Sequence, residues 1–323
     1  MKLAATTINQ LNNWGKKGIP FGFLIDYKGE TPVIFTLKQP PKGLYWSAPD
    51  SNRLPADKIT KPLKKWNIQP VIFEDFKKKF EKIQFHIHNG DTYLLNLTQP
   101  TKIDTNLSLE DIFNMVSAPY KILYNNKFVC FSPETFIKIN RGKILSYPMK
   151  GTIDDSVKNA KSRLLNDTKE IAEHNTIVDL IRNDLSTVAE NVTVEKFRFL
   201  SYIKTQQRNL WQVSSEISGD LPEGYQAHIG NILASLLPAG SVTGAPKKKT
   251  LEIIAETEQY QRGYYTGIFG VFDGKNLDSC VLIRFIEKNE NCLEYKSGGG
   301  ITFLSTARKE YDEMVKKVYV PVI

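Results

Sequence analysis

Lys127-Phe-Val-Cys-Phe-Ser-Pro-Glu-Thr-Phe-Ile-Lys-Ile-Asn-Arg-Gly-Lys-Ile-Leu-Ser-Tyr147 holds three strand-like runs, Lys127–Phe131, Thr135–Ile139 and Lys143–Tyr147, with no helix between them. Short β-branched and aromatic runs bounded by turn residues read as strands. Upstream, Phe21–Tyr27 and Pro32–Leu37 are strand-like around Lys28-Gly29-Glu30, and 73–88 reads as a helix closed by Asn89-Gly90-Asp91 before a strand at Thr92–Leu97. Downstream, 157–188 is mostly helical with a break at Asn166-Asp167, where Asp167-x-x-Glu170 resembles a capping box. A further helix starts near Pro246, two or three strands lie between Gly267 and Leu304, and a final helix covers about 306–319. Strands and helices mix without a regular βαβ alternation, so the expected class is α+β, an antiparallel sheet with helices on its outside. Residues 1–72 read as a strand-containing front portion packed into the same domain as 73–323.

The chain has 323 residues, 41% hydrophobic and 24% charged, with 20 Gly and 16 Pro. That is globular composition and excludes a disordered or fibrous chain. The longest apolar stretches, such as Gly263–Phe272, are too short to span a bilayer. The start runs straight into Asn and Gln, so no signal peptide is expected. Three cysteines, Cys130, Cys280 and Cys292, suggest neither a disulfide framework nor a zinc site, and the cytoplasm is the expected location. The formal net charge is +8. The clusters Lys61–Trp66, Lys77–Lys79 and Lys247–Lys249 read first as solvated faces, and no nucleic-acid motif accompanies them.

The four histidines, His86, His88, His174 and His228, form no His-Glu-x-x-His site. Gly-x-Ser-x-Gly, the Walker loop and the dinucleotide glycine pattern are also missing, which removes most hydrolases, kinases and dehydrogenases. Carboxylate pairs stand out instead. Glu170 and Glu173 are three apart in one helical segment, and Glu310 and Glu313 repeat the spacing in the last helix. On a helix that spacing puts like charges on one face. Either pair alone reads first as a solvated face, whereas two such faces together would offer hard oxygen ligands suited to Mg²⁺. Ser297-Gly-Gly-Gly300 and the small-residue stretch Pro238–Pro246 read as turns or as anion cradles. Arg284 ends an apolar run and is expected to meet a carboxylate, from the protein or from a substrate. Lys150 ends a strand beside Gly151 and Thr152, and in a partly dry pocket such an amine becomes nucleophilic. Glu134 could converge on it as an acid/base if the strand between them reverses.

These strings together resemble the chorismate-utilising enzymes. The motifs are Ser132-Pro-Glu-Thr-Phe136, Pro148-Met-Lys-Gly-Thr152, Glu170-Ile-Ala-Glu-His174 with Ile177–Asp184, Gly240–Lys247, Arg262–Gly267, Ser297–Ile301 and Glu310-Tyr-Asp-Glu313. They run in order over about 75–323. The resemblance implies two packed, largely antiparallel sheets with helices outside. Its nearest branch is component I of aminodeoxychorismate synthase. That likeness implies Lys150 as nucleophile at C2 of chorismate, Glu134 as acid/base, and Glu170, Glu173, Glu310 and Glu313 as Mg²⁺ ligands. It implies a substrate site of Gly151, Thr152, Ser241, Thr243, Tyr265, Arg284, Gly298, Gly299, Gly300 and Lys317, with Arg284 and Lys317 as the cations for a dicarboxylate.

Component I of anthranilate synthase is the rival branch. It usually has Ala where Lys150 stands and His where Gln212 stands. Isochorismate and salicylate synthases carry their catalytic lysine elsewhere, and a basic binding protein that kept the fold without activity is the rival of another class. The front of the chain is shorter than in full-length members, so no tryptophan feedback is expected. No cysteine sits in a Gly-x-Cys-x-Gly elbow, so ammonia is expected from a separate glutaminase subunit or from solution, and p-aminobenzoate itself should need another enzyme. No nucleic acid or membrane partner is expected.

Overall fold

The structure is a computed structural model that describes residues 3–56, 61–203, 209–289 and 292–321. The chain divides into two compact units, each discontinuous in sequence. The first comprises Met1–Pro40, Glu134–Ser241 and Gly267–Val281; the second comprises Pro41–Pro133, Val242–Thr266 and Leu282–Ile323. Among the described residues each unit is built on one nine-stranded sheet. Every strand pairing in both sheets is antiparallel.

In the first unit, Thr135–Asn140 and Lys143–Ser146 form the expected hairpin, with Arg141 and Gly142 at positive φ in its turn. Leu277–Val281, Ile268–Phe272, Phe21–Ile25 and Val33–Thr36 extend the sheet on one side. Leu210–Asp220, Met149–Asp154 and Glu190–Ile203 complete it on the other. The helix Thr168–Leu185 packs on those last three strands, and Asp167 caps it by accepting the Glu170 N–H at 3.0 Å. The sequence reading leaves out the helices Ala5–Lys16 and Ile229–Leu236 and the strands Glu190–Ile203 and Leu210–Asp220, and Lys150, read there as ending a strand, lies near the start of Met149–Asp154. Ala5–Lys16 is a helix that buries only Thr7, Leu11 and Gly15, so its apolar stripe is thin. It lies so close to Tyr225–His228 that a Cβ on Gly15 would fall 2.0 Å from the Gln226 carbonyl oxygen. The strand Glu190–Ile203 carries bulges with Asn191 and Arg198 at positive φ, which break the period-two pattern that marks a strand.

In the second unit, Leu94–Thr105 is paired along its length with Leu293–Thr302 on one side and meets the short strands Trp66–Gln69 and Gly244–Ala245 on the other, next to the sheet edge. Among the described residues four strands, not two or three, lie between Gly267 and Leu304: Ile268–Phe272 and Leu277–Val281 in the first unit, and Phe285–Lys288 and Leu293–Thr302 in the second. The stretch Ser297–Gly300 is therefore not a loop. Gly298, Gly299 and Gly300 pair with Thr98, Leu97 and Asn96 inside one continuous strand. A Cβ on Gly298 would fall 2.3 Å from the Leu97 carbonyl oxygen, so the close approach of the neighbouring strand requires glycine there. The helix Phe73–His88 buries Phe76, Phe80, Ile83 and Ile87, as its spacing predicts. Lys77 and Lys78 are exposed, but Lys79 reaches inward to Gln99 Oε1 and the Glu258 carbonyl. The helix Lys247–Glu258 follows Pro246, which stands at its N-cap rather than at its first helical position. The helix Ala307–Lys316 packs on the glycine strand.

One buried ion pair ties the second unit together. Arg262 donates to both Glu258 oxygens, at 2.8 and 2.6 Å, to the Val242 carbonyl at 2.9 Å and to the Asn96 carbonyl at 2.8 Å. The Thr98 N–H donates to Glu258 at 2.8 Å. Removing one partner would leave the other charge buried and uncompensated. Glu258→Gln should therefore cost roughly 3–5 kcal/mol of unfolding free energy, read from the denaturant midpoint of the full chain at unchanged m-value.

Candidate active site

In the first unit the strand Met149–Asp154 and the helix Thr168–Leu185 position the expected lysine and glutamates. The strand pairs with Leu210–Asp220 through Met149↔Ser214 and Thr152↔Gln212, and the register shifts between them, with Gly151 at φ +86°. The shift lets Lys150 reach Glu173. Its Nζ lies 2.5 Å from Glu173 Oε2, and the Glu173 side chain is only 3% exposed. Lys169 stands 3.5 Å from the other oxygen. Glu170, one helical turn earlier, lies over Gly151: a Cβ there would fall 3.0 Å from Glu170 Oε2 and 3.0 Å from Leu164 Cδ1. Positive φ and this contact both require glycine. Thr152, exposed, faces Gln212 across the sheet.

His174 adjoins Glu173, is fully buried, and makes a 2.7 Å bond to Ser215 Oγ, which also accepts the Arg198 N–H at 2.9 Å. Burial, with the charges of Arg198 and Lys150, pushes its pKa down to about 4. The ring is neutral at pH 7 and adds no positive charge beside the lysine. The sequence reading quotes His174 in a motif but gives it no role, and it does not single out Ser215 or Arg198. Their proximity depends on the bulge at Arg198, which has no motif.

Glu134 precedes the strand Thr135–Asn140, and its carbonyl accepts the Val281 N–H at 3.1 Å. Its carboxylate takes a short hydrogen bond from the Ser241 hydroxyl. Glu134, Ser241 and Asp184 line one small cavity, whose wall also includes Pro148, two residues before Lys150. The intervening chain does reverse, through the hairpin Thr135–Ser146.

In the second unit, Gly299 lies beneath the helix Ala307–Lys316. A Cβ on it would fall 3.5 Å from Glu310 Oε2, 3.8 Å from Glu313 Oε1 and 3.8 Å from Lys317 Nζ. Glu310 is buried. Lys317 pairs with Glu313 at 2.7 Å and donates to the Gly298 carbonyl at 2.8 Å. Arg284 sits at φ +52° just before Phe285–Lys288. It donates to the Lys317 carbonyl at 3.2 Å and lies 5.2 Å from the Tyr319 ring centre. Its partners among the described residues are thus a carbonyl and aromatic rings rather than a protein carboxylate, one of the two kinds that the sequence reading allows. Tyr265 is buried, and burial pushes its phenol pKa up, so it keeps its proton. Thr243 is buried and its carbonyl accepts the Asn96 N–H at 2.8 Å, while Gly244 pairs with Leu95.

Each unit thus places a helical glutamate pair beside a strand glycine, Glu170 over Gly151 in the first and both Glu310 and Glu313 over Gly299 in the second, with lysine on Glu173 and on Glu313. Among the described residues no three His, Cys, Asp or Glu side chains gather as a metal-binding group. Each pair offers two hard carboxylates beside bare backbone, a donor type that suits Mg²⁺ when water or substrate oxygens complete the set. No helix among the described residues is long and apolar enough to cross a membrane.

An uncharacterized PabA-like protein of Pasteurella multocida is 49% identical over 98% of this chain and 98% of its own length. Aminodeoxychorismate synthase component 1 of Bacillus subtilis is 31% identical over 77% of this chain, which spans 55% of that protein. The crystal structure of anthranilate synthase component I from Streptococcus pneumoniae superposes with a TM-score of 0.65 at 25% identity, covering 84% of this chain and 61% of that one. Residues 39–322 match the chorismate binding enzymes, and the chain belongs to that family.

Proposed function

We propose that this chain is an aminodeoxychorismate synthase component I, converting chorismate and ammonia to 4-amino-4-deoxychorismate. The observation that carries the reading is the Lys150–Glu173 pair: an amine fixed beside a buried carboxylate, on a strand whose glycine keeps the surroundings narrow. In this reading the Lys150 amine, once deprotonated, bonds to C2 of chorismate. The ring double bonds shift and the C4 hydroxyl leaves as water, with its proton from Glu134. Ammonia then bonds to C4 and the C2–N bond breaks, which restores the lysine. The balance is chorismate plus ammonia to product plus water. A covalent detour splits one hard displacement into two easier ones, and hydroxide is too poor a leaving group to depart without an acid.

The Ser241 bond to Glu134 supports that role by fixing the acid's orientation. Arg284 and Lys317 supply cations for the two substrate carboxylates, and Gly298–Gly300 admit the substrate against bare backbone. Glu170, Glu173, Glu310 and Glu313 would hold Mg²⁺, which when bound would polarise a substrate carboxylate and offset the acidic charge. Ammonia would come from a separate glutaminase subunit. The likeness to anthranilate synthase favours a second reading, loss of pyruvate to give anthranilate. Lys150, and Gln212 opposite Thr152, weigh against it.

Chorismate, ammonium and Mg²⁺ with mass-spectrometric detection should yield a product that keeps the enolpyruvyl group, and Lys150→Ala should abolish it. Fluorescent anthranilate would support the second reading instead, and full activity of Lys150→Ala would overturn the covalent route. Glu173→Gln and Glu313→Gln should each raise the Mg²⁺ concentration for half-maximal rate by about tenfold or more, as loss of one charged ligand costs on the order of 1.4 kcal/mol at least. An unchanged requirement would remove that residue from the metal.

A further inference from the structure

Asp184 ends the motif Ile177–Asp184 and stands near the C-terminal end of the helix that carries Glu170 and Glu173. The reaction proposed above gives it no task. A Cβ on Gly240 would fall 2.9 Å from Asp184 Oδ2 and 3.1 Å from Leu180 Cδ2, so the Gly240 backbone rests directly on that carboxylate. The next residue, Ser241, donates its hydroxyl to Glu134. Asp184, Gly240, Ser241 and Glu134 line the same cavity. Gly240 and Ser241 belong to a single 3₁₀ turn, Gly240–Val242, too short to hold a side chain in register through its own hydrogen bonds.

We infer that Asp184 is a positioning residue that seats the Gly240 backbone and so keeps the Ser241 hydroxyl on Glu134. This rests on the reading of Glu134 as the acid of chorismate amination. The chemistry suits the residue types. A carboxylate is short and planar and accepts from backbone N–H groups, and only glycine lets the chain come down onto it. The helix Thr168–Leu185 then has two tasks along its length: its first turns present Glu170 and Glu173, and its last turn fixes the partner of the acid. A misplaced acid slows the chemical step more than it weakens substrate binding.

The test combines kinetics of the full chain on chorismate and ammonium with crystal structures of the variants. Asp184→Ala should lower kcat by about 10- to 100-fold with KM for chorismate changed less than about threefold. Asp184→Asn, which keeps the planar shape and one acceptor oxygen, should recover most of kcat. The double variant Asp184→Ala/Ser241→Ala should fall no further than Ser241→Ala alone, because both act through one hydroxyl. Losses that multiply, or an equal rise in KM, would overturn the inference. In the crystal structure of Asp184→Ala, Ser241 should have left Glu134; an unmoved Ser241 would overturn it whatever the kinetics. If Asp184→Ala does not melt cooperatively, Asp184→Ser takes its place in both arms with the same expectations. A wild-type chain that leaves chorismate unconverted would sink the proposed function, and the position of Ser241 would still decide the role of Asp184.

Discussion

Glu173 is 3% exposed, and a carboxylate so placed must have a cation, because an unpaired buried charge costs several kcal/mol. Lys150 supplies it, and much of the first unit's site follows from that demand. The strand Met149–Asp154 has to bulge for the lysine to arrive, and Gly151 makes the bulge possible. The same glycine lets Glu170 and Leu164 close over the strand. Any other residue there would meet both the positive φ and the overlying side chains. His174, next in the helix, must stay neutral if the lysine is not to face a second cation, and burial beside Arg198 and Lys150 keeps it so. Arg198 spends its own guanidinium on the Leu165 carbonyl at 2.9 Å, near the end of the helix Ala160–Asn166.

The sequence is readable where a local pattern and the tertiary demand agree. The helix Phe73–His88 was legible to the residue because its apolar face repeats at helical spacing and a turn closes it. The hairpin Thr135–Ser146 was legible because its strands alternate around Arg141-Gly142. The glycine triplet misled because glycine is first a turn residue; only the partner strand, distant in sequence, shows that Gly298 stays extended and close to Leu97. The strand Glu190–Ile203 was illegible for another reason: its charged residues and bulges leave no face with a clean alternation.

The candidate site shows the same division. Motif matching picks out the residue types but not their partners. Lys150 and Glu173 are both in the motifs, yet their pairing needs the helix laid across the bulged strand. Arg284 was expected to find a carboxylate of the protein or of a substrate; within the protein it finds the Lys317 carbonyl and the Tyr319 ring. A guanidinium satisfied in this way is oriented while its full charge remains, which is the state that suits recognition of an anionic ligand. The net charge of +8 is likewise only partly a property of solvated faces. Lys79, Lys296 and Lys317 each donate to backbone carbonyls, so part of the basic excess does structural work.

The two units solve a similar electrostatic problem with similar parts. In each, two glutamates stand three residues apart on a helix, at least one of them lies over a strand glycine, and lysine pairs with one of the two. The lysine comes from the strand in the first unit and from just beyond the helix end in the second. That difference has a chemical consequence. Lys317 is tied to the Gly298 carbonyl as well as to Glu313, so its ammonium is committed to holding the helix against the glycine strand. Lys150 is carried by a bulge, the backbone element that re-aims a side chain most readily. In the function proposed above, that difference matches the two roles: the nucleophile is the lysine carried on the bulged strand, and the lysine near the helix end is the fixed cation.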